Sequence, residues 1–452
     1  MSSSLVRSGQ SLPYAADYQK GAIAELARQV SDDGRADWAA ITHSAVIGAG
    51  AMGRCIAIAL ARQGKIVTLV DSQEASLQQA QGFIEHWIDQ QQHKGTLCPE
   101  QAASLLGAFF YQTGLEAIKG CGLVVEAVPE VLELKQDILR RVEEQVGADC
   151  ILATNTSTLD LDAIADACRY PQRVIGTHFF IPAHVTRLLE IVPARSTSKA
   201  TLELAKAMAS AMGKVFVVAG NCDGFIGNRL FDRFHQEAMY LLEEGATPEQ
   251  VDRVLEDWGM AIGPFRALDM VGNDIPWGVR VQRARNNPAR LQPRIGDALC
   301  EQGRYGQKTG SGWYGYQVGS RTPLPIVETR LLLEDVSAEL GLIRRQISDD
   351  EILGRCVLAL VNEGCAIVRE GYARSAVDID LAFVNGYGFP LQAGGPLYLA
   401  QQLGLNRVAG EMRQYQRLAR FGKSLWQPDD MLLIQAQRGG SLLAPLAFVP
   451  SP

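Results

Sequence analysis

Two patterns of apolar residues divide this chain near residue 220. Between residues 43 and 218, short apolar runs rich in β-branched residues alternate with helical stretches. The runs are Ala45–Ile47, Ile66–Val70, Gly122–Ala127, Ile151–Thr154, Val174–His178 and Val215–Val218. Such alternation predicts a mostly parallel, doubly wound sheet covered by helices. From about Asp223 the strand patterns nearly stop, and long helical patterns such as Phe225–Gly245 and Pro248–Trp258 follow. We therefore expect an α/β domain followed by helical domains.

The helical region contains an internal repeat. A shift of 126 residues places Glu237 on Glu363, Glu244-Gly245 on Glu370-Gly371, Val251-Asp252 on Val377-Asp378, and Pro264 on Pro390. This agreement predicts two copies of one helical unit, with a chance similarity of amphipathic helix pairs as the alternative. The glycine-rich stretch Gly303–Tyr314 lies between the copies and is expected to form a loop.

Composition and charge exclude several classes of function. The chain has 452 residues, 47% hydrophobic and 21% charged, with a formal net charge of −7. This balance gives no basis for nucleic-acid binding, and no apolar run or leader pattern indicates a membrane. The nine cysteines include no C-x-x-C pair, which is typical of reduced thiols in a cytoplasmic protein. We expect no metal site.

A glycine-rich turn follows the first predicted strand. The stretch 45–53 reads Ala-Val-Ile-Gly-Ala-Gly-Ala-Met-Gly, and Asp71 ends the second predicted strand. Gly48 permits the tight turn, Gly50 lets the backbone approach a pyrophosphate, and Gly53 lets the helix pack closely. A carboxylate at Asp71 can hold the ribose 2′-hydroxyl of NAD and would repel the 2′-phosphate of NADP. The residues expected to contact NAD here are Gly48, Ala49, Gly50, Met52, Gly53 and Asp71.

These patterns predict the domain organisation. Residues 1–40 form a lead-in with one candidate helix at 15–30, and residues 41–220 form a Rossmann domain that binds NAD. A first helical domain spans 221–320, and its second copy spans 345–452.

With NAD as cofactor the reaction is a hydride transfer, which needs a base for the alcohol proton. His178 ends the apolar run Val174–His178, where a neutral imidazole would lie at the carboxyl edge of the sheet. Glu190 begins another apolar stretch, and its carboxylate could orient the imidazole. A structural histidine with an unrelated surface glutamate is the alternative.

Two polar residues are candidates for binding the reacting oxygen. Ser157 follows the predicted strand Ile151–Thr154, where a helix cap is an equally good interpretation. Asn228 begins the first long helix, and the repeat places Gly354 opposite it. Only the first copy is therefore expected to carry an active-site side chain, unless Asn228 is a capping or surface residue.

Together these motifs resemble the L-3-hydroxyacyl-CoA dehydrogenase family, from about Ser44 to about Gln416. The resemblance is closest to the dehydrogenase half of the bacterial fatty-acid-oxidation multienzyme α-subunit, which also carries two helical copies. The matching segments are 46–53, Val-Glu-Ala-Val-Pro-Glu (125–130), Thr-Asn-Thr-Ser (154–157), Gly-Thr-His-Phe-Phe (176–180), Asp-Gly-Phe-Ile-Gly-Asn-Arg (223–229) and Gly-Gln-Lys-Thr-Gly-Ser-Gly-Trp-Tyr (306–314).

The resemblance implies a role for each candidate residue. It makes His178 the general base, paired with Glu190, and it places Ser157 and Asn228 on the reacting oxygen. It implies that Glu130 and Lys135 contact the cofactor, with Asn155 also in the cofactor site. The implied reaction is the NAD-dependent oxidation of (S)-3-hydroxyacyl-CoA to 3-oxoacyl-CoA, as in fatty-acid β-oxidation.

Two departures from the family pattern leave other substrates and a non-catalytic function as alternatives. The family usually has Asn where this chain has Ile181, before Pro182. It also tends to carry lysines on the helix after the NAD aspartate, whereas residues 72–93 contain no Lys or Arg. A carrier-bound or free 3-hydroxy acid substrate therefore remains an alternative, as does a non-catalytic NAD-binding subunit.

The resemblance also bears on partners. The family's dimer is built through the helical domain, so a second internal copy could replace the partner and leave the chain monomeric. A homodimer is the alternative. A separate hydratase or thiolase is a candidate partner, and no nucleic acid or membrane is expected.

Overall fold

The computed structural model describes Arg7, residues 11–289 and residues 291–444 of the chain. They form two compact units. The first unit consists of residues 20–228 and 371–374, and the second consists of the described residues of 1–19, 229–370 and 375–452. Parts of the predicted lead-in (1–6 and 8–10) and of the predicted second copy (445–452) lie outside the described residues.

The first unit contains one eight-stranded sheet. The strands are β1 (His43–Ile47), β2 (Ile66–Val70), β3 (Phe109–Gln112), β4 (Leu123–Glu126), β5 (Ile151–Thr154), β6 (Val174–Phe179), β7 (Leu188–Pro193) and β8 (Val215–Val218). Their order is β3-β2-β1-β4-β5-β6-β7-β8, and every neighbouring pair is parallel except β6 with β7. The predicted mostly parallel sheet is confirmed. The strand order reverses between β1 and β4, which is where such sheets bind ligands.

The described residues contain nineteen α-helices. They are α1 (Ala15–Arg28), α2 (Asp32–Ala40), α3 (Ala51–Ala61), α4 (Glu74–His93), α5 (Pro99–Leu106), α6 (Leu132–Gln145), α7 (Leu161–Ala165), α8 (Lys199–Ala211), α9 (Gly227–Glu244), α10 (Pro248–Trp258), α11 (Pro264–Val271), α12 (Asp274–Asn286), α13 (Ile295–Glu301), α14 (Val327–Glu339), α15 (Asp349–Arg369), α16 (Ala376–Gly386), α17 (Pro396–Leu403), α18 (Leu405–Leu418) and α19 (Asp430–Arg438). No helix in this described part of the chain is both long and apolar enough to cross a bilayer.

The second unit, called the helical unit below, contains the predicted repeat. Its contacts correct the residue pairing that the sequence suggested. In the first copy, the carboxylate of Asp252 accepts hydrogen bonds from the backbone N–H groups of Phe265 and Arg266, just inside α11. In the second copy, Asp380 accepts the equivalent bonds from Leu397 and Tyr398, just inside α17. Asp252 therefore corresponds to Asp380 by its contacts.

Two pairs of the sequence alignment were wrong for this reason. The uniform shift had placed Asp252 on Asp378 and Pro264 on Pro390. Pro264 begins α11 and Pro396 begins α17, whereas Pro390 lies before a short 3₁₀ turn. The loops that precede α16 and α17 are both longer than their counterparts before α10 and α11, so a constant shift cannot hold across them.

The two copies pair through reciprocal ion pairs. Arg355 of the second copy contacts Glu237 at 2.7 Å and Glu244 at 2.8 Å in the first. Arg229 of the first copy contacts the repeat-related Glu363 and Glu370 of the second, at 2.5 and 2.6 Å. Each copy thus offers an arginine and two glutamates from the same positions, which is the pattern of an interface between two identical subunits.

The N-terminal segment completes the second copy. The Tyr18 hydroxyl donates to Asp380 at 2.8 Å, as the Tyr314 hydroxyl donates to Asp252 at 2.7 Å in the first copy. The side-chain amide of Gln19 donates to the Gly394 carbonyl. Residues 11–19 therefore pack as part of the helical unit.

Candidate active site

The glycine turn between β1 and α3 needs each of its three glycines for a different reason. Gly48 has a φ of +105°, and a Cβ there would lie 2.6 Å from the Ala127 carbonyl oxygen. A Cβ on Gly53 would lie 1.8 Å from the Gly48 carbonyl oxygen. A Cβ on Gly50 would meet nothing within 4 Å, so this glycine leaves open space at the start of α3. That space, at a helix N-terminus, fits a pyrophosphate.

Asp71 follows β2 and holds the same turn. Its carboxylate accepts hydrogen bonds from the backbone N–H of Ala49 at 2.8 Å and from that of Gln73 at 2.9 Å. One acid therefore fixes the turn and remains half-buried beside it, where it can also accept bonds from ribose hydroxyls. The turn and this acid fit NAD.

We expect Asp71→Ala to raise the Kd for NADH about 10- to 100-fold, since hydrogen bonds to a charged group contribute roughly 1.5–3 kcal/mol. The preference for NADH over NADPH should narrow, because the charge that repels a 2′-phosphate is removed. Fluorescence titrations with both nucleotides measure this, and Asp149→Ala, at an exposed position before β5, is the control. An unchanged preference for NADH would count against the assigned role of Asp71.

His178 and Glu190 face each other across the one antiparallel pair of strands. They are register partners in β6 and β7, and His178 Nδ1 lies 2.7 Å from Glu190 Oε2. Glu190 is fully buried, and its other oxygen accepts hydrogen bonds from the backbone N–H groups of Ile226 and Gly227 at 3.1 and 2.7 Å. The structure thus brings together the two residues that the sequence proposed as a pair. Because Glu190 occupies Nδ1, Nε2 is the nitrogen that can exchange a proton with a substrate.

Aromatic rings pack around the imidazole. The centroid of Phe180 lies 4.5 Å from that of His178, and Phe225 packs edge-on at 5.8 Å. Phe225 is fully buried and has a φ of +49°, unusual for a bulky residue. The segment before α9 therefore holds a strained backbone next to the His178–Glu190 pair.

Ser157 lies in a loop held by Glu130. One oxygen of Glu130 accepts bonds from the Ser157 N–H at 2.7 Å, the Thr156 hydroxyl at 2.7 Å and the Thr158 N–H at 3.0 Å. The Ser157 hydroxyl is 3.2 Å from the same oxygen. Although burial would raise the pKa of Glu130, the Lys135 ammonium and these hydrogen bonds hold it below its usual value.

Asn228 lies in the first turn of α9. Its side-chain amide is 3.4 Å from the Ser157 carbonyl oxygen, so the structure places Asn228 beside the Ser157 loop. The repeat-related Gly354 lies where a Cβ would be 1.9 Å from the Tyr415 hydroxyl. Packing therefore leaves no room for an active-site side chain at that position in the second copy.

The side chains of Lys135 and Asn155 both form polar contacts with other residues of the protein. The Lys135 ammonium lies 2.8 Å from Glu126, 3.1 Å from the Val128 carbonyl and 3.3 Å from Glu130, and its side chain is only 2% exposed. The Asn155 side-chain oxygen accepts a bond from the Phe179 N–H at 2.9 Å, which ties the end of β5 to β6. These contacts make Lys135 a support for Glu130 and make Asn155 a link between strands.

Glu126 was missed by the sequence reasoning. It ends β4, is fully buried, and accepts bonds from Lys135, from the Val128 N–H and from the Thr154 hydroxyl. An acid in the motif Val-Glu-Ala-Val-Pro-Glu at the end of an apolar strand was the available signal.

The two departures from the family pattern lie on accessible positions. Ile181 follows β6 and is 52% exposed. Helix α4 presents exposed glutamines at 78, 79 and 81, in the stretch that lacks basic residues.

A doubly wound sheet, a glycine turn with its acid, and a buried histidine–glutamate pair define a nicotinamide-dependent dehydrogenase by class. Comparison with known proteins gives the family. The model for the 3-hydroxyacyl-CoA dehydrogenase NAD-binding domain matches residues 43–222, and that for the C-terminal domain matches residues 224–316 and 352–436, in both helical copies. The chain belongs to the 3-hydroxyacyl-CoA dehydrogenase family, and NAD is its cofactor.

Individual similar proteins support this family membership. The peroxisomal bifunctional enzyme of Danio rerio is 40% identical over 390 residues, which cover 83% of this chain and 53% of that protein. The chain thus spans about half the length of the curated relatives it matches. The solved 3-hydroxybutyryl-CoA dehydrogenase of Escherichia coli is 25% identical with a TM-score of 0.77, covering 88% of this chain and 98% of that one. The (S)-3-hydroxybutyryl-CoA dehydrogenase PaaH1 of Ralstonia eutropha is 31% identical with a TM-score of 0.59, covering 62% and 100%.

Proposed function

We propose that this protein interconverts an (S)-3-hydroxyacyl thioester and its 3-oxoacyl counterpart, with NAD as the hydride acceptor. The observation that carries the proposal is the buried His178–Glu190 pair, whose strand β6 is tied to the end of β5 by Asn155, two residues before Ser157. The proposed pathway is fatty-acid β-oxidation or a related acyl-CoA pathway, as in the peroxisomal and glyoxysomal relatives by their names.

In the oxidation, His178 Nε2 takes the proton of the substrate 3-hydroxyl. Bound NAD supplies the acceptor for the hydride from carbon 3. Glu190 keeps the Nδ1 proton in place and stabilises the imidazolium that forms, because its carboxylate is buried at 2.7 Å. His178 thereby gains one proton, and NAD, when bound, would accept the hydride.

Ser157 and Asn228 are proposed to bind the reacting oxygen. The backbone of Ser157 is fixed by Glu130, so its hydroxyl can turn from that carboxylate to the substrate oxygen with little loss of order. Donors held in place before the reaction stabilise the developing charge most effectively.

The substrate test uses purified protein with (S)- and (R)-3-hydroxybutyryl-CoA, each with NAD and with NADP. We expect NADH formation from the (S)-thioester and NAD at a kcat/KM at least about tenfold above the other three combinations. Equal rates with both enantiomers would contradict the proposed stereochemistry, and a preference for NADP would contradict the role of Asp71.

A carrier-bound or free 3-hydroxy acid is the second candidate substrate. The exposed glutamines of α4 favour it, because this helix offers no cation for a nucleotide phosphate. A higher kcat/KM with an acyl-carrier-protein thioester than with the CoA thioester would select it.

We infer that the chain is a monomer in solution. The reciprocal arginine–glutamate pairs between the two helical copies use the contacts that a dimer of single-copy subunits would form. Light scattering after size exclusion should give the mass of one chain at micromolar concentration. A mass of two chains, unchanged on dilution, would contradict this.

The proposed reaction also suggests protein partners, and the cellular location is a separate prediction. A separate hydratase or thiolase is the expected protein partner, because those activities supply and consume the two thioesters. We keep a cytoplasmic location as a prediction, although relatives are named as peroxisomal or glyoxysomal; imaging of the tagged protein in its own cell decides between them.

A further inference from the structure

A closed ring of hydrogen bonds and one ion pair is connected to the Ser157 loop. We define this ring by Glu126, Lys135, Glu130, Thr156 and Thr154. Glu126 holds the Lys135 ammonium at 2.8 Å, and Lys135 contacts Glu130 at 3.3 Å. Glu130 accepts from the Thr156 hydroxyl at 2.7 Å, and the Thr156 N–H donates to the Thr154 hydroxyl at 3.3 Å. The Thr154 hydroxyl then donates to the second oxygen of Glu126 at 2.5 Å, which closes the ring.

Two series of polar contacts, here called routes, connect Glu126 to the Ser157 loop. One passes through Lys135 to Glu130, which binds the backbone N–H groups of Ser157 and Thr158. The other passes through Thr154 to the N–H of Thr156. Both routes start on the same buried carboxylate, so a change there acts on Ser157 from two sides.

Burial excludes direct contact between Glu126 and substrate. Its side chain is 0% exposed, and its oxygens are occupied by the Lys135 ammonium, the Val128 N–H and the Thr154 hydroxyl. A buried lysine also needs a charged partner. The Lys135 ammonium is shared between two carboxylates. The negative charge on Glu126 therefore weakens the ion pair between Lys135 and Glu130.

We propose that Glu126 is a positioning residue for the dehydrogenase reaction, acting on Ser157 through the ring. The inference rests on the proposed function for its kinetic consequence, but its structural part can be tested alone. In Glu126→Gln the shape is kept and the charge is lost. Lys135 then pairs with Glu130 alone and draws it from the Ser157 loop. A displacement of even 1 Å at a reacting group can lower a rate about 100-fold.

The kinetic test is a double-mutant cycle. We expect Glu126→Gln to lower kcat for the thioester about 10-fold or more. In the Ser157→Ala background, the same change should lower kcat less than about 3-fold, because the group it positions is gone. Equal factors in the two backgrounds would show a general structural role and overturn the proposal, as would an unchanged kcat in the single variant. Glu133→Gln, at an exposed position on α6 two residues before Lys135, is the matched control.

Hydrogen–deuterium exchange tests the ring without turnover. Amides of residues 156–158 should exchange about 10-fold faster in Glu126→Gln, while those of β1 stay unchanged. If no thioester is turned over by the wild type, the proposed function fails, and this exchange still decides the positioning role: unchanged exchange at 156–158 overturns it. If Glu126→Gln does not fold, Thr154→Val replaces it, because this variant removes only the connection through Thr154. The same amides should then exchange faster, by a smaller factor.

Discussion

Replacement of His178 by Ala is expected to lower turnover of the thioester roughly 10²–10⁴-fold, the range in which a general base contributes. The imidazole is the only titratable group that the structure places against the Glu190 carboxylate in the described part of the site. Binding of NADH should be retained, because the glycine turn lies between β1 and α3 and Asp71 follows β2, on elements that the substitution leaves unchanged. Steady-state kinetics with a parallel NADH titration measure both effects.

The control for this variant is His43→Ala. His43 is an exposed histidine at the start of β1, so its removal should leave both the rate and NADH binding unchanged. Turnover by His178→Ala within about threefold of the wild type would contradict the assignment of His178 as the base.

Glu190→Gln is expected to have an effect of similar size, for a different reason. Two backbone N–H groups, those of Ile226 and Gly227, point at one oxygen of Glu190, so the amide oxygen of Gln must take that place. Its NH₂ group then faces His178 Nδ1, which must become an acceptor. The ring proton moves to Nε2, and the imidazole can no longer accept the substrate proton there.

We therefore predict a fall in kcat of roughly 10²–10⁴-fold for Glu190→Gln, with little change in fold or NADH affinity. Stopped-flow and circular dichroism measurements separate these effects, and Glu144→Gln, at an exposed position on α6, is the control. A variant with nearly normal kcat would mean that Glu190 does not set the tautomer of His178.

Local sequence was enough to predict the cofactor turn. Gly48, Gly50 and Gly53 act through backbone geometry within one strand–turn–helix, and Asp71 lies at the end of the adjacent strand. The sequence also predicted the His178–Glu190 pair as a hypothesis, because both residues sit in apolar runs. Only the register of β6 with β7 brings their side chains to 2.7 Å, and local pattern does not fix a register.

Other features depended on contacts between distant residues. The role of Glu126 arises from Lys135 on one helix and Thr154 on the next strand, which no spacing rule predicts. Strand β3 was also missed; it is an edge strand of which only Phe109 is buried. The repeat was found from its constant spacing, and its alignment failed where the loops before α16 and α17 are longer than their counterparts in the first copy.

The measurement that tests the central claim most directly is NADH oxidation followed by absorbance, with acetoacetyl-CoA and free acetoacetate as alternative substrates. We predict rapid turnover of the thioester and a kcat/KM at least about 100-fold lower for the free acid, since binding of the carrier supplies energy that orients the reacting carbonyl. Equal turnover of the two, or turnover of acetoacetate alone, would contradict the account of this protein as a 3-hydroxyacyl thioester dehydrogenase.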